Sequence, residues 1–456
     1  MKKPRFWLIL VMVALLATLA SGPVLGDEEP EDEEEVTISR EGREHRTKVL
    51  KEAPDPDEGR PARRGGIIVN FRPGLTSAER ERVHRETGVT ALKRARLRDS
   101  DVVSVKAGDW KKAMKAYRDQ PEVQSVDPDL IARTVLAPND PCFTAVPNPC
   151  STTQNQWGMT KINAPQAWDT TTGSTAVRVA VLDCGVYAPE TSTFVGHPDL
   201  QNGKVVNSIN FTTSPDEDDW CDHGTHVAGI AAANTNNGIG VAGVGFNTKI
   251  VNVKVLGDNG SGSFAWIISG ILWAAGCPTD PALPCGTRRA EVINMSLGAA
   301  ASCSSSLQQA INRAWDQGLV IVAAAGNNNT SSVFTPASCN NTVAVSASTT
   351  TDAKASFSNF GSWVDVAAPG TSILSTNYVG TYSSFNGTSM SSPHVAGLAA
   401  LVWTTPHNTG NAAVVDRILT TANHGALAGS VNGRIDAAAA VASAGPDVTP
   451  PSVTIN

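Results

Sequence analysis

The sequence is poor in charged and aromatic side chains, and its first 141 residues contain no cysteine. Only 17% of its 456 positions are charged and 5% are aromatic, whereas 41% are hydrophobic. This balance excludes a disordered or fibrous protein and is sufficient for one large buried core and a second, smaller domain. A CxxC pair and an HExxH run are both absent. These absences argue against zinc or redox use of the cysteines and against a zinc-peptidase helix.

Eight cysteines lie beyond residue 140, and this even number suits disulfide formation in an oxidising compartment. Their spacing suggests the pairs 142 with 150, 184 with 221, 277 with 285, and 303 with 339, although the sequence alone does not fix the connectivity. Cys184 follows Asp183, so a catalytic cysteine is an alternative there. We expect a structural disulfide instead.

The N-terminus has the pattern of a secretory signal peptide. Lys2, Lys3 and Arg5 precede a short apolar run over residues 6–20, which small residues and Asp27 follow. We therefore predict a signal peptide over residues 1–26, removed after residue 20 or 26, and an extracellular protein. A single membrane anchor is the alternative, but the run is short for a membrane span.

Residues 27–64 are rich in Glu, Asp, Arg and Pro, and we predict a disordered acidic linker there. A small domain follows over residues 65–135. It begins with the strand GIIVNF, and Thr76 with Glu79 forms a capping box that opens a helix to about Thr87. Two strands, a helix from Asp109 and a last strand complete the order β-α-β-β-α-β, which predicts a ferredoxin-like α+β domain.

The remainder, residues 136–445, predicts an α/β domain. Near-continuous apolar runs such as VRVAVLD, EVINMS and LVIVAAAG alternate with helical stretches at 223–233, 264–275 and 306–317. Such alternation indicates a parallel sheet with helices on both faces. Residues 446–456 are interpreted as a C-terminal linker or stub. Lys and Arg outnumber Asp and Glu by 22 to 16 over residues 36–135, whereas residues 136–456 carry 11 against 19, so complementary charge favours association of the two domains.

Four polar residues in this domain could carry chemistry. Asp183 ends an apolar strand, His223 opens the small-residue helix HGTHVAGIAAA, Asn327 follows a strand through Gly326, and Ser389 begins an apolar helix. Each residue taken alone is more commonly a turn or a helix cap. The GxSxG elbow of α/β-hydrolases is not matched at Ser389.

The motifs DCGV, HGTHVAG, INMSLG, AAAGN and GTSMSSPHVAG, in this order, resemble the subtilisin family of serine proteases. The opening PNDP and the region 157–168 resemble its thermitase-like members. The resemblance covers nearly all of residues 138–445. It implies a subtilisin-like three-layer fold and a serine endopeptidase that works through an acyl-enzyme. It also implies a catalytic triad of Asp183, His223 and Ser389, with Asn327 in the oxyanion hole.

The same resemblance implies a broad-specificity groove that holds an extended peptide between two backbone segments. These segments are Gly260, Ser261 and Gly262 on one side and Ser296, Leu297 and Gly298 on the other. By the same resemblance, Phe334 is expected near the base of the primary specificity pocket, where subtilisin has a smaller residue, and we expect it to narrow the pocket towards small or medium side chains. The alternative is that its ring points into the core.

Calcium is the structural cofactor that the resemblance implies. The ligand set is Asp140, Asp199 and Asn237 through their side chains, and Asn234, Ile239 and Val241 through their carbonyl groups. These hard oxygen donors suit calcium. An ordinary Asn- and Gly-rich turn is the alternative. The acidic run 216–219 could bind a second ion or favour basic substrates, but we expect a solvated loop.

The domain over residues 65–135 resembles the inhibitory propeptide of the family, which aids folding, and a maturation cut is expected between residues 131 and 139. The implied partners are protein and peptide substrates and the chain's own propeptide. We expect a monomer that binds neither nucleic acid nor, after signal removal, a membrane. The main alternative is a catalytically silent homologue that only binds peptides; a metallopeptidase would lack a ligand set.

Overall fold

A computed structural model describes residues 33–40, 43–50, 52–54, 61–91, 93–130, 137–144, 150, 155–188, 190–191, 194–424 and 433–442. The predicted signal peptide, most of the predicted maturation interval and the predicted C-terminal stub lie outside these residues. The chain divides into two compact units between residues 133 and 134.

The strands of the first unit are β1 (Glu33–Arg40), β2 (Arg43–Leu50), β3 (Glu52–Pro54), β4 (Pro61–Phe71), β5 (Lys93–Arg96), β6 (Ser100–Ser104) and β7 (Val123–Leu130), and its helices are α1 (Ser77–Glu86) and α2 (Trp110–Arg118). β4 pairs with β6 and β7, and β6 pairs with β5, all antiparallel. From β4 onwards the order is β-α-β-β-α-β, as predicted.

Both helices of this unit begin where local sequence signals place them. Thr76 caps α1 and forms the predicted capping box with Glu79. Trp110, Met114 and Tyr117 lie on one face of α2 and are buried, because they recur at helical spacing. They pack with the inward side chains of β4, β6 and β7 in one apolar core.

The segment preceding this core differs from the prediction of a disordered linker. β1 and β2 pair as an antiparallel hairpin in which Glu35 lies opposite Lys48 and Ile38 opposite His45. Backbone pairing and alternating β-branched residues such as Val36 and Ile38 form strands without the large apolar content on which the prediction was based.

The strands of the second unit are β8 (Arg178–Asp183), β9 (Glu190–Thr191), β10 (Phe194–Val195), β11 (Val205–Asn210), β12 (Lys249–Lys254), β13 (Val292–Met295), β14 (Val320–Ala324), β15 (Val343–Ser348), β16 (Val366–Pro369), β17 (Ile373–Thr376) and β18 (Tyr382–Phe385). Its helices are α3 (Pro141–Thr144), α4 (Trp157–Lys161), α5 (Ala164–Trp168), α6 (Gly224–Ala232), α7 (Phe264–Ala274), α8 (Ser305–Asp316), α9 (Thr388–Val402), α10 (Asn411–Thr420) and α11 (Ala437–Val441).

Within the described residues, seven parallel strands form the main sheet in the order β11-β12-β8-β13-β14-β15-β16. Alternation along β8 sends Val179 and Val181 to the core shared with α6 and α9, and Ala180 and Leu182 to the core shared with α7 and α8. Helices therefore cover both faces. The predicted three-layer α/β fold is confirmed.

All eight cysteines form disulfides, and all four suggested pairs are confirmed: Cys142–Cys150, Cys184–Cys221, Cys277–Cys285 and Cys303–Cys339. Cys184 is therefore not a free thiol nucleophile. Among the described helices, none combines the length and apolarity that crossing a membrane requires.

Candidate active site

Three of the predicted site positions follow adjacent strands of the main sheet. Asp183 ends β8, Ser296 follows β13, and Asn327 follows β14 after a short turn. Parallel strands bring their carboxyl ends to one edge of the sheet, where open α/β folds place their functional groups. The topology therefore brings together polar side chains that are far apart in sequence.

Asp183 and His223 are joined by a hydrogen bond. His223 Nδ1 lies 2.8 Å from Asp183 Oδ1, which also accepts a bond of 2.9 Å from the Cys184 N–H. Asp183 is fully buried, whereas the His223 side chain is 28% exposed. The carboxylate therefore orients the imidazole from behind and leaves part of the ring open to solvent.

The electrostatic surroundings of His223 favour its charged form. Burial is the largest single influence and lowers its pKa, but the charge and hydrogen bond of Asp183 and the charges of Asp219 and Asp222 outweigh it. The pKa of His223 therefore lies above its usual value. A histidine in this setting can take up a proton during a reaction and hold it.

Ser389 lies in the first turn of α9, two residues after the N-cap Gly387. The backbone N–H groups of a first helical turn have no acceptor within the helix, so that of Ser389 is free to bind a ligand. Its hydroxyl donates to the Ser296 carbonyl at 3.2 Å, and Ser296 Oγ donates to the Ser389 carbonyl at 2.7 Å. Two reciprocal bonds thus fix Ser389 against the end of β13.

The Asn327 amide has a defined orientation because Thr388 holds its oxygen. The N–H and the hydroxyl of Thr388 each donate to Asn327 Oδ1 at 2.9 Å. The amide nitrogen therefore points the other way. A Cβ built on Gly387 would lie 3.5 Å from Asn327 Nδ2 and 3.6 Å from the Ser389 nitrogen, so both nitrogens border the same small space.

A groove of about 540 Å³ lies beside His223. Its lining includes His223 and both predicted peptide-holding segments: Gly260, Ser261 and Gly262, and Ser296, Leu297 and Gly298. The structure thus brings together all six of these residues along one cleft.

Phe334 is half-buried beside this groove rather than in the core. Its ring occupies the space next to Gly298 and Gly326, where a Cβ on either glycine would collide with it. Gly298 lines the groove and Gly326 precedes Asn327. The ring therefore fills space beside the groove and beside the turn that carries Asn327.

The predicted calcium ligands also come together. Asn237 Nδ2 donates to Asp199 Oδ1 at 2.9 Å, and Asp140 accepts from the Asn237 N–H at 3.2 Å. The Val241 N–H donates to the second Asp199 oxygen at 2.9 Å. Burial raises the pKa of Asp199 and, with the charge of Asp199 nearby, raises that of Asp140 to about 6. Among the described residues, no Lys or Arg side chain hydrogen-bonds to either carboxyl group, although the charge of Lys204 lowers the pKa of Asp199. Two such buried carboxyl groups suit a bound cation.

The acidic run differs from the expected solvated loop at Asp219. This residue is buried, and its carboxylate accepts from the N–H groups of Cys221 at 3.0 Å and Thr225 at 2.8 Å. Burial raises its pKa. Asp219 therefore anchors the segment that carries His223.

Sequence reasoning missed Thr388 and the buried Lys254. Lys254 Nζ donates to the carbonyl oxygens of Cys184 at 2.5 Å and Asp218 at 2.7 Å, directly behind Asp183. Lys254 stands opposite Asp183 in the β12–β8 register, which the sequence does not reveal. The sequence feature that could have pointed to Thr388 is its position between Gly387 and Ser389.

Two protein-family models match this chain. Residues 174–440 match the model of the subtilase family, and residues 51–129 match that of the fervidolysin N-terminal prodomain. The chain belongs to the subtilase family. As a subtilase with an N-terminal prodomain, it is a subtilisin-like serine endopeptidase, and the predicted family is confirmed.

Named relatives agree with this assignment. The thermophilic serine proteinase of Bacillus sp. strain AK1 is 39% identical over 74% of this chain and 77% of its own length. Thermitase of Thermoactinomyces vulgaris is 42% identical over 58% and 85%. An extracellular protease of Xanthomonas campestris pv. campestris is 40% identical over 67% of this chain and 56% of its own length. A solved protease structure from Pseudoalteromonas arctica aligns with a TM-score of 0.57 and 37% identity over 67% of this subtilase and 98% of that chain.

Proposed function

We propose that this subtilase is the precursor of a secreted, self-processing endopeptidase whose catalytic residues are Asp183, His223 and Ser389. The observation that carries the proposal is the 2.8 Å hydrogen bond between His223 and a fully buried Asp183 at the edge of a peptide-sized groove. An Asp–His pair with only a structural role would be equally stable with a fully buried imidazole, whereas here the imidazole is exposed to the groove.

In the proposed reaction, the Ser389 hydroxyl turns from the Ser296 carbonyl to His223 Nε2 and gives up its proton as Oγ bonds to the scissile carbonyl carbon. Asp183 holds the Nδ1–H tautomer and stabilises the imidazolium that forms. His223 then protonates the leaving amine as the C–N bond breaks, which leaves an acyl-enzyme. Water then attacks the carbonyl carbon of this ester while His223 takes its proton. His223 returns that proton to Ser389 Oγ as the ester C–O bond breaks, which frees Ser389 and the acid product.

The negative oxygen of the tetrahedral intermediate requires donors that are already in place. Asn327 Nδ2 and the Ser389 backbone N–H border the same space and would supply them. Thr388 contributes by holding the amide oxygen away from that space. The positive N-terminal end of α9 adds to the stabilisation.

The substrate would bind as an extended strand between residues 260–262 and 296–298, and main-chain hydrogen bonds would give broad specificity. Phe334 would then set the depth of the primary pocket. Because its ring fills the space beside Gly298 and Gly326, small or medium side chains should fit best before the scissile bond.

Calcium would be a structural cofactor of this enzyme. Asp140, Asp199 and Asn237 would hold it through side-chain oxygens, with carbonyl groups from Asn234, Ile239 and Val241 completing the set. The cation would neutralise the two buried carboxylates and thereby stabilise the loop that follows α6.

Secretion, processing and partners complete the proposal. Residues 1–26 would be a signal peptide and residues 65–135 an inhibitory propeptide, cut between residues 131 and 139 and followed by a monomeric catalytic domain at 136–445. The hydrophobic start of the chain, the four disulfides and the prodomain match support this order of events. Substrates would be proteins and peptides, with neither nucleic acid nor a membrane as partner of the mature enzyme.

The decisive experiment compares the wild type with Ser389→Ala by intact mass and casein hydrolysis. We expect the wild type to lose its N-terminal part near residues 131–139 and to digest casein, whereas the variant stays full length and inert. Two folded, full-length and inactive proteins would instead indicate a peptide-binding homologue without catalytic activity. Casein digestion by Ser389→Ala would reject Ser389 as the nucleophile.

A further inference from the structure

Asn359 lies on the loop after β15, 32 residues beyond Asn327 in sequence, yet its side chain contacts the turn that carries Asn327. Asn359 is 1% exposed. Its Nδ2 donates to the Ala325 carbonyl at 2.8 Å, and its Oδ1 accepts from the Asn328 N–H at 2.9 Å. One amide group therefore binds the backbone on both sides of Asn327.

The backbone of the same loop adds to this support. The Asn359 N–H donates to the Gly326 carbonyl at 2.9 Å, and the Asn329 N–H donates to the Phe357 carbonyl at 2.7 Å. Gly326 has a φ of +95°, and a Cβ there would collide with Asn359 Nδ2. The turn thus has a left-handed backbone that allows the amide of Asn359 to approach closely.

A buried amide in this position does more than fill space. Asn359 Oδ1 also accepts from the Thr330 N–H at 3.3 Å, so the side chain uses both its donor and its acceptor and binds three backbone groups of one turn. Truncation would leave the buried Ala325 carbonyl without this bond, and the turn would relax. Asn327 would move with it, because its backbone lies between the two anchored sides.

From this geometry we propose that Asn359 is a positioning residue that aims the Asn327 amide at the developing oxyanion. Thr388 fixes the far end of the Asn327 side chain by its oxygen, and Asn359 fixes the near end by its backbone. An oxyanion donor stabilises the transition state only if it is in place beforehand. Loss of Asn359 should therefore lower kcat and leave ground-state peptide binding, and hence KM, nearly unchanged. This inference rests on the proposed role of Asn327.

The test is a double-mutant cycle with Asn327→Ala, Asn359→Ala and the double variant in the full-length chain. Tagged wild-type enzyme cleaves each precursor in trans and is then removed. kcat and KM on a peptide anilide are expressed per folded molecule, with the folded fraction taken from a thermal melt. Asn359→Asp, which keeps the acceptor and loses the donor, serves as a second variant that preserves shape. Asn411→Ala is the control for general destabilisation, since Asn411 also donates to two carbonyl groups, those of Trp315 and Leu319, but not near Asn327.

We expect Asn359→Ala and Asn359→Asp to lower kcat about tenfold, with KM changed less than twofold. When Asn327 is already alanine, the same Asn359 substitutions should lower kcat by less than a further twofold. Asn411→Ala should lower the melting temperature without changing kcat. An unchanged kcat in the Asn359 variants, or the same tenfold loss with and without Asn327, would overturn the inference. If Asn327→Ala itself leaves kcat unchanged, the assignment of Asn327 to the oxyanion hole fails. That result differs from independent losses of kcat in the two single variants, which would overturn only the role of Asn359.

Discussion

The disulfide between Cys184 and Cys221 joins the residue after Asp183 to the residue two positions before His223. Cys184 is fully buried, and Cys221 lines the groove beside His223. The covalent link and the Asp183–His223 hydrogen bond therefore close one small ring of contacts. Movement of either segment would disturb both.

Removal of this disulfide should cost more stability than removal of Cys277–Cys285. The first closes a loop of 37 residues and the second a loop of 8. Loop-closure entropy predicts losses of about 4 and about 2.5 kcal/mol in the free energy of unfolding. Thermal melts of the two double Cys→Ser variants measure this difference. Only the variant without Cys184 and Cys221 should also have a lower kcat. Equal kcat values in the two variants would contradict the prediction that this disulfide holds Asp183 and His223 in position.

The pH dependence of kcat/KM should report the raised pKa of His223. The general base must be neutral, so activity falls as the pH drops through this pKa, and the acid limb should be centred above the value of about 6.5 for an ordinary histidine. The charge of Asp222 contributes to the raised pKa, so Asp222→Asn should move the limb to lower pH.

Asp365→Asn is the control for this shift, because burial raises the pKa of Asp365 to about 7 but its carboxylate binds the Ala344 N–H, away from His223. Burial lowers the pKa of His226 to about 3 and that of His394 to about 4, so neither changes charge in this range. A limb that moves in Asp365→Asn and stays in Asp222→Asn would contradict the assignment to His223.

Replacement of Phe334 by glycine should widen the primary specificity pocket. The wild type should cleave fastest after small or medium side chains, whereas Phe334→Gly should gain at least tenfold in kcat/KM for Phe relative to Ala, because a larger ring can then be buried. A peptide library with one varied position measures this ratio. Wild-type cleavage clearly faster after Phe than after Ala or Leu would show that the ring does not limit the pocket.

Calcium should raise the melting temperature through the Asp140 and Asp199 site. At a free concentration one hundred times the dissociation constant, one site contributes about 2.7 kcal/mol. Melts in calcium and in EGTA should therefore separate for the wild type and coincide for Asp199→Ala. Asp365→Asn should keep the calcium response. Equal responses in Asp199→Ala and the wild type would place the ion elsewhere.

Local signals in the sequence predicted many of the helices and strands of this protein. The capping box at Thr76 and Glu79 located the start of α1, and the apolar runs VRVAVLD, EVINMS and LVIVAAAG located β8, β13 and β14. Such signals succeed because capping and side-chain periodicity act within a few residues. The motif resemblance added the candidate site, since Asp183, His223, Asn327 and Ser389 are separated by 40 residues or more and no periodicity connects them.

Local patterns did not predict the supports of that site. The contacts of Lys254 behind Asp183, of Asp219 beneath the His223 segment and of Asn359 on the Asn327 turn are decided by strand order and by loops that meet at the sheet edge. The hairpin of β1 and β2 was missed because cross-strand pairing stabilises it without a large apolar content. The sequence thus predicted which residues would carry the chemistry, and the tertiary structure alone decided which residues hold them in place, because those hydrogen bonds form between segments that only the completed fold brings together.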